Sequence, residues 1–354
     1  MRKLMLGGLA LCLAWLAAGQ PVRAQTVEQF YRGKTVKFIV GSNTGGSYDT
    51  YSRLLAQFIG KHIPGNPTLI VENLPGASGV KSAQYLADIA PKDGSVIGMF
   101  NQSMPQRQMF EPDQVHFDLT RFSWLGAMNT STTVFITWHA SGVKTLEDAK
   151  KKEVVMGAVS ASGGNSVYPL LLNAFLGTRF KVVLGYLGGN TIQLAMERGE
   201  VDGRAAVVWS GLKSGWPQWI TEKKIYVLLQ TGLTKEKDLP DVPLLLDLAK
   251  NDEERAIFRF VSSDSAMGFP VTAPPGIPAE RQAALQKAFA DTMKDPDFLK
   301  VAAERQLEIE PSTGQDVKQV VEDLIRTPKD VIAKIKKGLA EAEAQAEAAT
   351  KAKK

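Results

Sequence analysis

Two glycine-rich stretches hold the residue types that can seat a small polar guest. Thr44-Gly45-Gly46-Ser47 and Ser162-Gly163-Gly164-Asn165-Ser166 each follow an apolar run that reads as a strand and precede a run at helical spacing. Glycines in such a turn remove side chains from the approach. The first N–H groups of the following helix stay unpaired, at the positive end of its peptide dipoles. A carboxylate is a natural guest of that end. Gly188-Gly189-Asn190 repeats the arrangement ahead of a further helix. Asp49, in the first turn of the first such helix, opposes an anion, so it is expected to orient the loop or to bind a donor on the guest. Tyr48, Tyr168, Tyr186 and Trp209 fall on or beside these loops, placed either to line a pocket or to pack. Glycine turns with Ser or Asn neighbours also exist simply to start helices. Their repetition in two separate α/β units points instead to a ligand held between the units.

Other chemistries find little support. The Gly41 loop lacks the lysine of a phosphate-binding loop, no His-Glu-x-x-His occurs, and His62, His116 and His139 are isolated. Neither a metal nor a cofactor is expected. Gly76-Ala77-Ser78-Gly79 has the wrong spacing for a nucleophile elbow. A hydrolase acting through Ser47 or Ser166 is the competing class. No His, Lys or paired carboxylate flanks either serine in sequence, although nucleophilic catalysis needs such a base.

The elements that must position these loops alternate. Thr35 to Val40, Thr68 to Glu72 and Val96 to Phe100 read as strands, separated by helices from about Tyr48 to His62 and on to Ala90. That order predicts a parallel sheet with helices on its faces. The pattern resumes with strands at Thr133 to Trp138, Val154 to Ala158, Phe180 to Tyr186, Val201 to Trp209 and Ile225 to Leu229. Between them lie a helix opened by Thr145-Leu146-Glu147-Asp148, a capping-box pattern, and helices ending near Leu176 and Arg198. A strand from Ala266 leads to helices at Pro278 to Lys294 and Asp297 to Arg305. Thr327-Pro328 starts a last helix, whose Ala/Glu/Lys-rich end from Gly338 shows no apolar stripe and reads as solvated.

The 354 residues suffice for two domains, and 44% apolar with 22% charged residues is a globular balance. Met1-Arg2-Lys3, the uncharged run Leu4 to Ala18 and Val22-Arg23-Ala24 form the three parts of a secretory signal peptide, residues 1–24. Fifteen apolar residues are few for a span, which needs about 20. Removing that segment takes Lys+Arg from 42 to 39 against 37 Asp+Glu. A balance so near neutral gives no nucleic-acid footprint. The only cysteine, Cys12, lies in the same segment after Leu11, where a lipid-anchor site has a small residue. The mature chain is therefore expected to be exported, thiol-free and without a lipid anchor.

Gly45-Gly46-Ser47-Tyr48-Asp49, Arg53-Leu54-Leu55-Ala56 and Glu72-Asn73-Leu74-Pro75-Gly76-Ala77-Ser78-Gly79 together resemble the tripartite tricarboxylate transporter substrate-binding family, the Bug proteins. Pro91 to Gly94, Tyr186 to Gly189, Gly199-Glu200-Val201-Asp202, Leu239 to Pro243 and Gly268 to Pro278 follow in family order, so the resemblance covers about Phe30 to Ile325. It implies a two-lobed periplasmic-binding-protein fold of the type II kind, each lobe a parallel-dominated sheet flanked by helices. The first lobe would be 25–126 plus 266–354 and the second 127–265, hinged on crossings near Ala127 to Phe135 and Ala266 to Val271.

The function implied is that of a monomeric periplasmic receptor without enzymatic activity. It would close on a small organic acid, a mono- or dicarboxylate, aromatic ones included, and deliver it to a small and a large membrane subunit. A sensory partner is an alternative output. The family's ligand loops map to Asn43, Thr44, Gly45, Gly46, Ser47, Tyr48 and Asp49, and to Ser160, Ser162, Gly163, Gly164, Asn165 and Ser166. Gln102, Ser103, Tyr186, Gly188, Gly189, Asn190 and Asp202 would contribute beside them. The chain departs from the family at Tyr168, where a His is usual, at Leu187, where Lys is common, and at Gly41 to Thr44, where a proline and small apolar residues are common. Amides and hydroxyls, rather than an arginine clamp, are expected to hold the acid. Arg53 reads as a scaffold residue that pins its loop, and Arg204 as either a ligand contact or a surface group.

Overall fold

The computed structural model describes residues 25–130, 132–161 and 163–352, with side chains followed to Glu341. Residues 1–24, expected from sequence to be a signal peptide and containing Cys12, and Ser162 lie outside the described residues. Two sheets, each flanked by helices, make two lobes. The first has the order β11-β4-β10-β3-β1-β2, with β1 at Thr35–Val40, β2 at Thr68–Asn73, β3 at Val96–Met99, β4 at Ser123–Asn129, β10 at Gly268–Ala273 and β11 at Ser312–Thr313. The second runs β7-β6-β8-β5-β9, with β5 at Thr133–Trp138, β6 at Val154–Gly157, β7 at Phe180–Val183, β8 at Gly203–Val208 and β9 at Ile225–Thr231.

Both sheets are mixed rather than parallel-dominated. Parallel pairing is confined to β2-β1-β3 and β7-β6-β8. The chain passes from β4 straight into β5 and returns through β10, so each crossing strand enters its sheet from the opposite end. Hence β5 is antiparallel to β8 and β9, and β10 to β3 and β4.

Strand alternation divides the core. Val36, Phe38 and Val40 of β1 pack with Tyr51, Leu54, Leu55 and Ile59 of helix Ser47–Ile59 (α1), while Ile39 faces the cluster of Phe100, Phe122 and Trp124. In the second sheet Phe135 faces one cluster and Val134 and Ile136 the other. Fully burying one such side chain contributes about 1.5–3 kcal/mol, and the clusters back the loops with rigid walls.

The helix Gly164–Leu176 (α2) ends at Gly177, whose φ of 71° closes the last turn with bonds to Asn173 and Leu172. Helix Gly189–Glu197 (α3) packs Ile192, Ala195 and Met196 inward. The last helix, Lys329–Ala352 (α4), lies on the second lobe, not on the first as the sequence reading had it. Ile332, Ile335 and Leu339, at helical spacing, join the cluster that contains Leu171, Leu172 and Phe258. An apolar stripe thus continues past Gly338, which itself sits against Phe175. The helix Asp252–Ser262, capped by Asn251, has no counterpart in the sequence reading. It inserts Ile257, Phe258, Phe260 and Val261 into the same core.

Candidate ligand-binding cleft

The loops that follow β1, β3, β6 and β7 all leave the carboxyl ends of strands, where open α/β sheets offer a crevice. They meet around a cavity of about 140 Å³ between the lobes, of the order that admits a benzene-sized guest. The first lobe supplies Asn43, Gly46, Ser47, Tyr48, Ser78, Gln102 and Ser103 to its wall. The second supplies Gly163, Gly164, Asn165, Tyr168, Gly188, Gly189, Asn190 and Arg204, and the return crossing supplies Asp264.

Three helices begin on this wall. α1, α2 and α3 start after Gly46, Gly163 and Gly188, and a glycine cap has no side chain to satisfy the first turn. In α3, Asn190 Oδ1 accepts from the Thr191 amide. In α2 the Ser166 amide is taken by the Gly163 carbonyl at 2.8 Å, which leaves the amides of Ser47, Tyr48 and Asp49 at the start of α1 and of Gly164 and Asn165 at the start of α2 as donors for a guest.

Asp49 is only 3% exposed and orients the first loop. It accepts from the Gly45 amide (2.9 Å), from Asn73 Nδ2 (2.8 Å) and from Arg53 Nε (3.0 Å), while Asn73 also donates to the Ser42 carbonyl. The φ of 83° at Gly45 turns its amide inward to the carboxylate. Burial would raise the Asp49 pKa, but Arg53, the Gly45 amide and Asn73 outweigh it and hold it below the usual carboxylate range. Arg53 is thereby a scaffold cation, ion-paired to Asp49 at 2.9 Å.

Across the cleft, Ser78 Oγ and Ser160 Oγ share a hydrogen bond of 2.7 Å, and Asn190 Nδ2 donates to the Thr44 carbonyl at 3.4 Å. Ala77 and Ser78 both hold left-handed backbone, φ 46° and 52°, a conformation that costs roughly 1–2 kcal/mol per residue. The Tyr48 hydroxyl accepts from the Gln102 amide (3.2 Å), and its ring meets Phe269 edge-on. Phe269, at φ 52°, stacks on Tyr51. Tyr168 donates to Asp264 Oδ2 at 2.8 Å, and burial pushes the Asp264 carboxyl up to about 7.

Arg204 and Asp264 are the only described residues on the cavity wall with ionisable acid or strongly basic side chains. β8 has one residue more than β5 between Ile136 and Val134, a bulge in which Ala206 takes φ 51°. Such a bulge re-aims neighbouring side chains, and Arg204 faces the cavity. Its Nε is buried without a hydrogen-bond partner, and burial lowers its pKa to about 10, so it stays charged.

Several residues named from sequence lie off the wall. Thr44 and Gly45 are exposed outside the cavity, and Asp49 is turned into the loop scaffold. Ser160 sits at the rim, bonded to Ser78. Ser166 is 1% exposed, because the second residue of a helical turn beyond the glycines points into the core. Tyr186 packs over Gly157 and joins the cluster of Ile192. Asp202 accepts from the Val155 amide at 2.8 Å and fastens β6 to β8. Conversely Ser78, Gln193 and Asp264 line the cavity without having been singled out. Tyr168, where the family usually has His, pairs with Asp264 across a sequence separation of 96 residues. Among the described residues no His or Lys lies on the wall beside Ser47.

Comparison with known proteins places this geometry. The model of the tripartite tricarboxylate transporter family receptor matches residues 52–337. The UPF0065 protein in the gbd 5' region of Cupriavidus necator is 24% identical over 344 residues, 95% of this chain and 97% of that one. Among solved structures, Rpa4515 of R. palustris with adipate superposes with a TM-score of 0.66 at 18% identity, covering 87% of this chain and 97% of the other. The periplasmic binding protein BugD gives 0.67 at 18%, over 87% and 98%. At these identities the structural likeness is one of fold.

Proposed function

The chain belongs to the tripartite tricarboxylate transporter receptor family, and we propose that it is a periplasmic receptor that traps a small organic acid between its lobes. The observation that carries this reading is the convergence of glycine-capped helix starts from both lobes on one cavity with a cation on its wall. Helix starts favour a carboxylate by charge and by free donors. That a relative of the same fold holds adipate supports an acid as the guest.

The lobes hinge on the two crossings, with 25–126 and the strands and helices from 266 to 326 moving against 127–265 and the attached α4. Closure brings Ser78 to Ser160 and Thr44 to Asn190, and ligand binding shifts the population toward that form. A small and a large membrane subunit then take the acid from the closed receptor. No bond of the ligand is made or broken. Among the described residues no helix is long and apolar enough to cross a membrane. The test is a thermal-shift screen of residues 25–354 against mono-, di- and tricarboxylates and aromatic acids. A selective rise in midpoint, with the acid recovered unchanged, supports the reading. Labelling of Ser47 or Ser166 by serine-directed probes, with no acid binding, would replace it with the hydrolase.

A further inference from the structure

Arg204 stands in the cleft as a cation without an anion. Among the described residues it has no ion-pair partner, and its Nε is a buried donor with no acceptor. The other acid or strongly basic group on the wall, Asp264, accepts from the Tyr168 hydroxyl. Tyr48, the residue whose charge bears on the guanidinium, is held neutral by burial that raises its pKa. Space has been left for the guanidinium: a Cβ on Gly189 would come within 2.6 Å of both Nη1 and Nη2. Glycine therefore lets the group lie flat against the first peptide of α3. That is the positive end of a helix, the least favourable neighbour for a cation in an empty site. Arg204 is half-buried; an unpaired charge drawn partly out of water costs stability and favours a counter-ion, and its buried Nε donor calls for an acceptor. Nothing among the described residues supplies either.

We propose that Arg204 is the specificity-determining residue of the cleft, pairing through its guanidinium edge with a second acid group of the ligand. This rests on the receptor reading above. One acid group then sits on the free amides of α1 and α2, and the other on the planar fork of Arg204. That fork matches a carboxylate in two-pronged geometry where a lysine does not. A monoanion satisfies only one of the two positive centres, so the cleft selects compact dianions over their half-neutralised forms.

The experiment is calorimetric titration of residues 25–354, wild type, Arg204→Gln and Arg204→Lys, with succinate, glutarate and adipate and with the monomethyl ester of each. Wild type is expected to bind a diacid at least about tenfold more tightly than its half-ester, the size of one charge-assisted hydrogen bond. In Arg204→Gln that ratio collapses toward one because the diacid weakens, while half-ester affinity stays within roughly threefold. Arg204→Lys keeps the charge but loses the fork and gives an intermediate ratio; it decides the matter if the Gln variant does not fold. A structural role for Arg204 would weaken diacid and half-ester alike. Equal binding of diacid and half-ester by wild type, or a variant ratio unchanged from wild type, overturns the proposal while leaving the receptor intact. Absence of binding of all three diacids and their half-esters overturns the proposal, and the receptor reading falls with it only if the monocarboxylates, tricarboxylates and aromatic acids of the wider screen fail as well.

Discussion

Ser78 Oγ and Ser160 Oγ lie 2.7 Å apart, one from each lobe, at the rim of the cavity. The bond spans 82 positions of sequence and ties one lobe to the other. Gly163 sits behind it, and a Cβ there would meet Ser78 Oγ at 2.6 Å.

Removing this latch should act on closure rather than on folding. One neutral hydrogen bond contributes about 1 kcal/mol, so Ser160→Ala is expected to weaken ligand binding about fivefold with the unliganded melting point nearly unchanged. The double variant Ser78→Ala/Ser160→Ala should be no worse than either single one, since both remove the same bond. Additive losses in calorimetric titration would show that the two serines act separately.

The first loop depends on Asp49. Asp49→Ala leaves the Gly45 amide, Asn73 Nδ2 and Arg53 without their shared acceptor. Because Arg53 is partly solvated, the expected loss is on the order of 2 kcal/mol, readable by denaturant titration. The folded pKa of Asp49 is depressed, so its contribution is present above the ordinary carboxylate range and is lost as pH falls below about 4. Asp49→Asn should flatten the acid limb of the stability curve. An unchanged limb would mean that the carboxylate is not what holds the loop.

Asp264 gives the opposite sign. Burial raises its folded pKa to about 7, above the unfolded value of about 3.9. Between roughly pH 4 and 7 the folded chain keeps a proton that the unfolded chain has released, so this group makes stability fall as pH rises through that window. Asp264→Asn should remove that part of the slope. Melting curves from pH 5 to 8 with the same slope in both proteins would contradict it.

Arg204 is a burden to the empty protein if the ligand is its only partner. Arg204→Met, similar in reach and uncharged, should raise the unliganded midpoint by on the order of 2 °C. It should also shrink the shift that a diacid produces. A midpoint lowered by several degrees would mean that Arg204 holds the fold together.

Much of this arrangement was legible from local pattern. The strand–glycine turn–helix units announced themselves at Gly45-Gly46-Ser47 and Gly163-Gly164-Asn165, because each is written in consecutive residues. Arg53 four positions after Asp49 is likewise a helical neighbour that sequence spacing exposes. What stayed hidden depends on partners far apart in the chain. Asp264 meets Tyr168 only because the return crossing passes the start of α2. Arg204 faces inward through a one-residue bulge that no local motif marks. Asp202, two residues earlier and part of a family-like stretch, points at a strand amide instead. The apolar stripe of α4 was diluted by Ala and Lys, and its partner Phe175 belongs to the second lobe.

The central claim is that the cleft binds a small organic acid and releases it unaltered. Equilibrium dialysis of residues 25–354 against a mixture of small mono-, di- and tricarboxylates, followed by recovery and analysis of the retained compound, tests it most directly. The account predicts retention of one acid class at one molecule per chain, chemically intact. At a hundred times its dissociation constant that acid should add about 2.7 kcal/mol to stability. Recovery of a converted product, or retention of no acid at all, would contradict it.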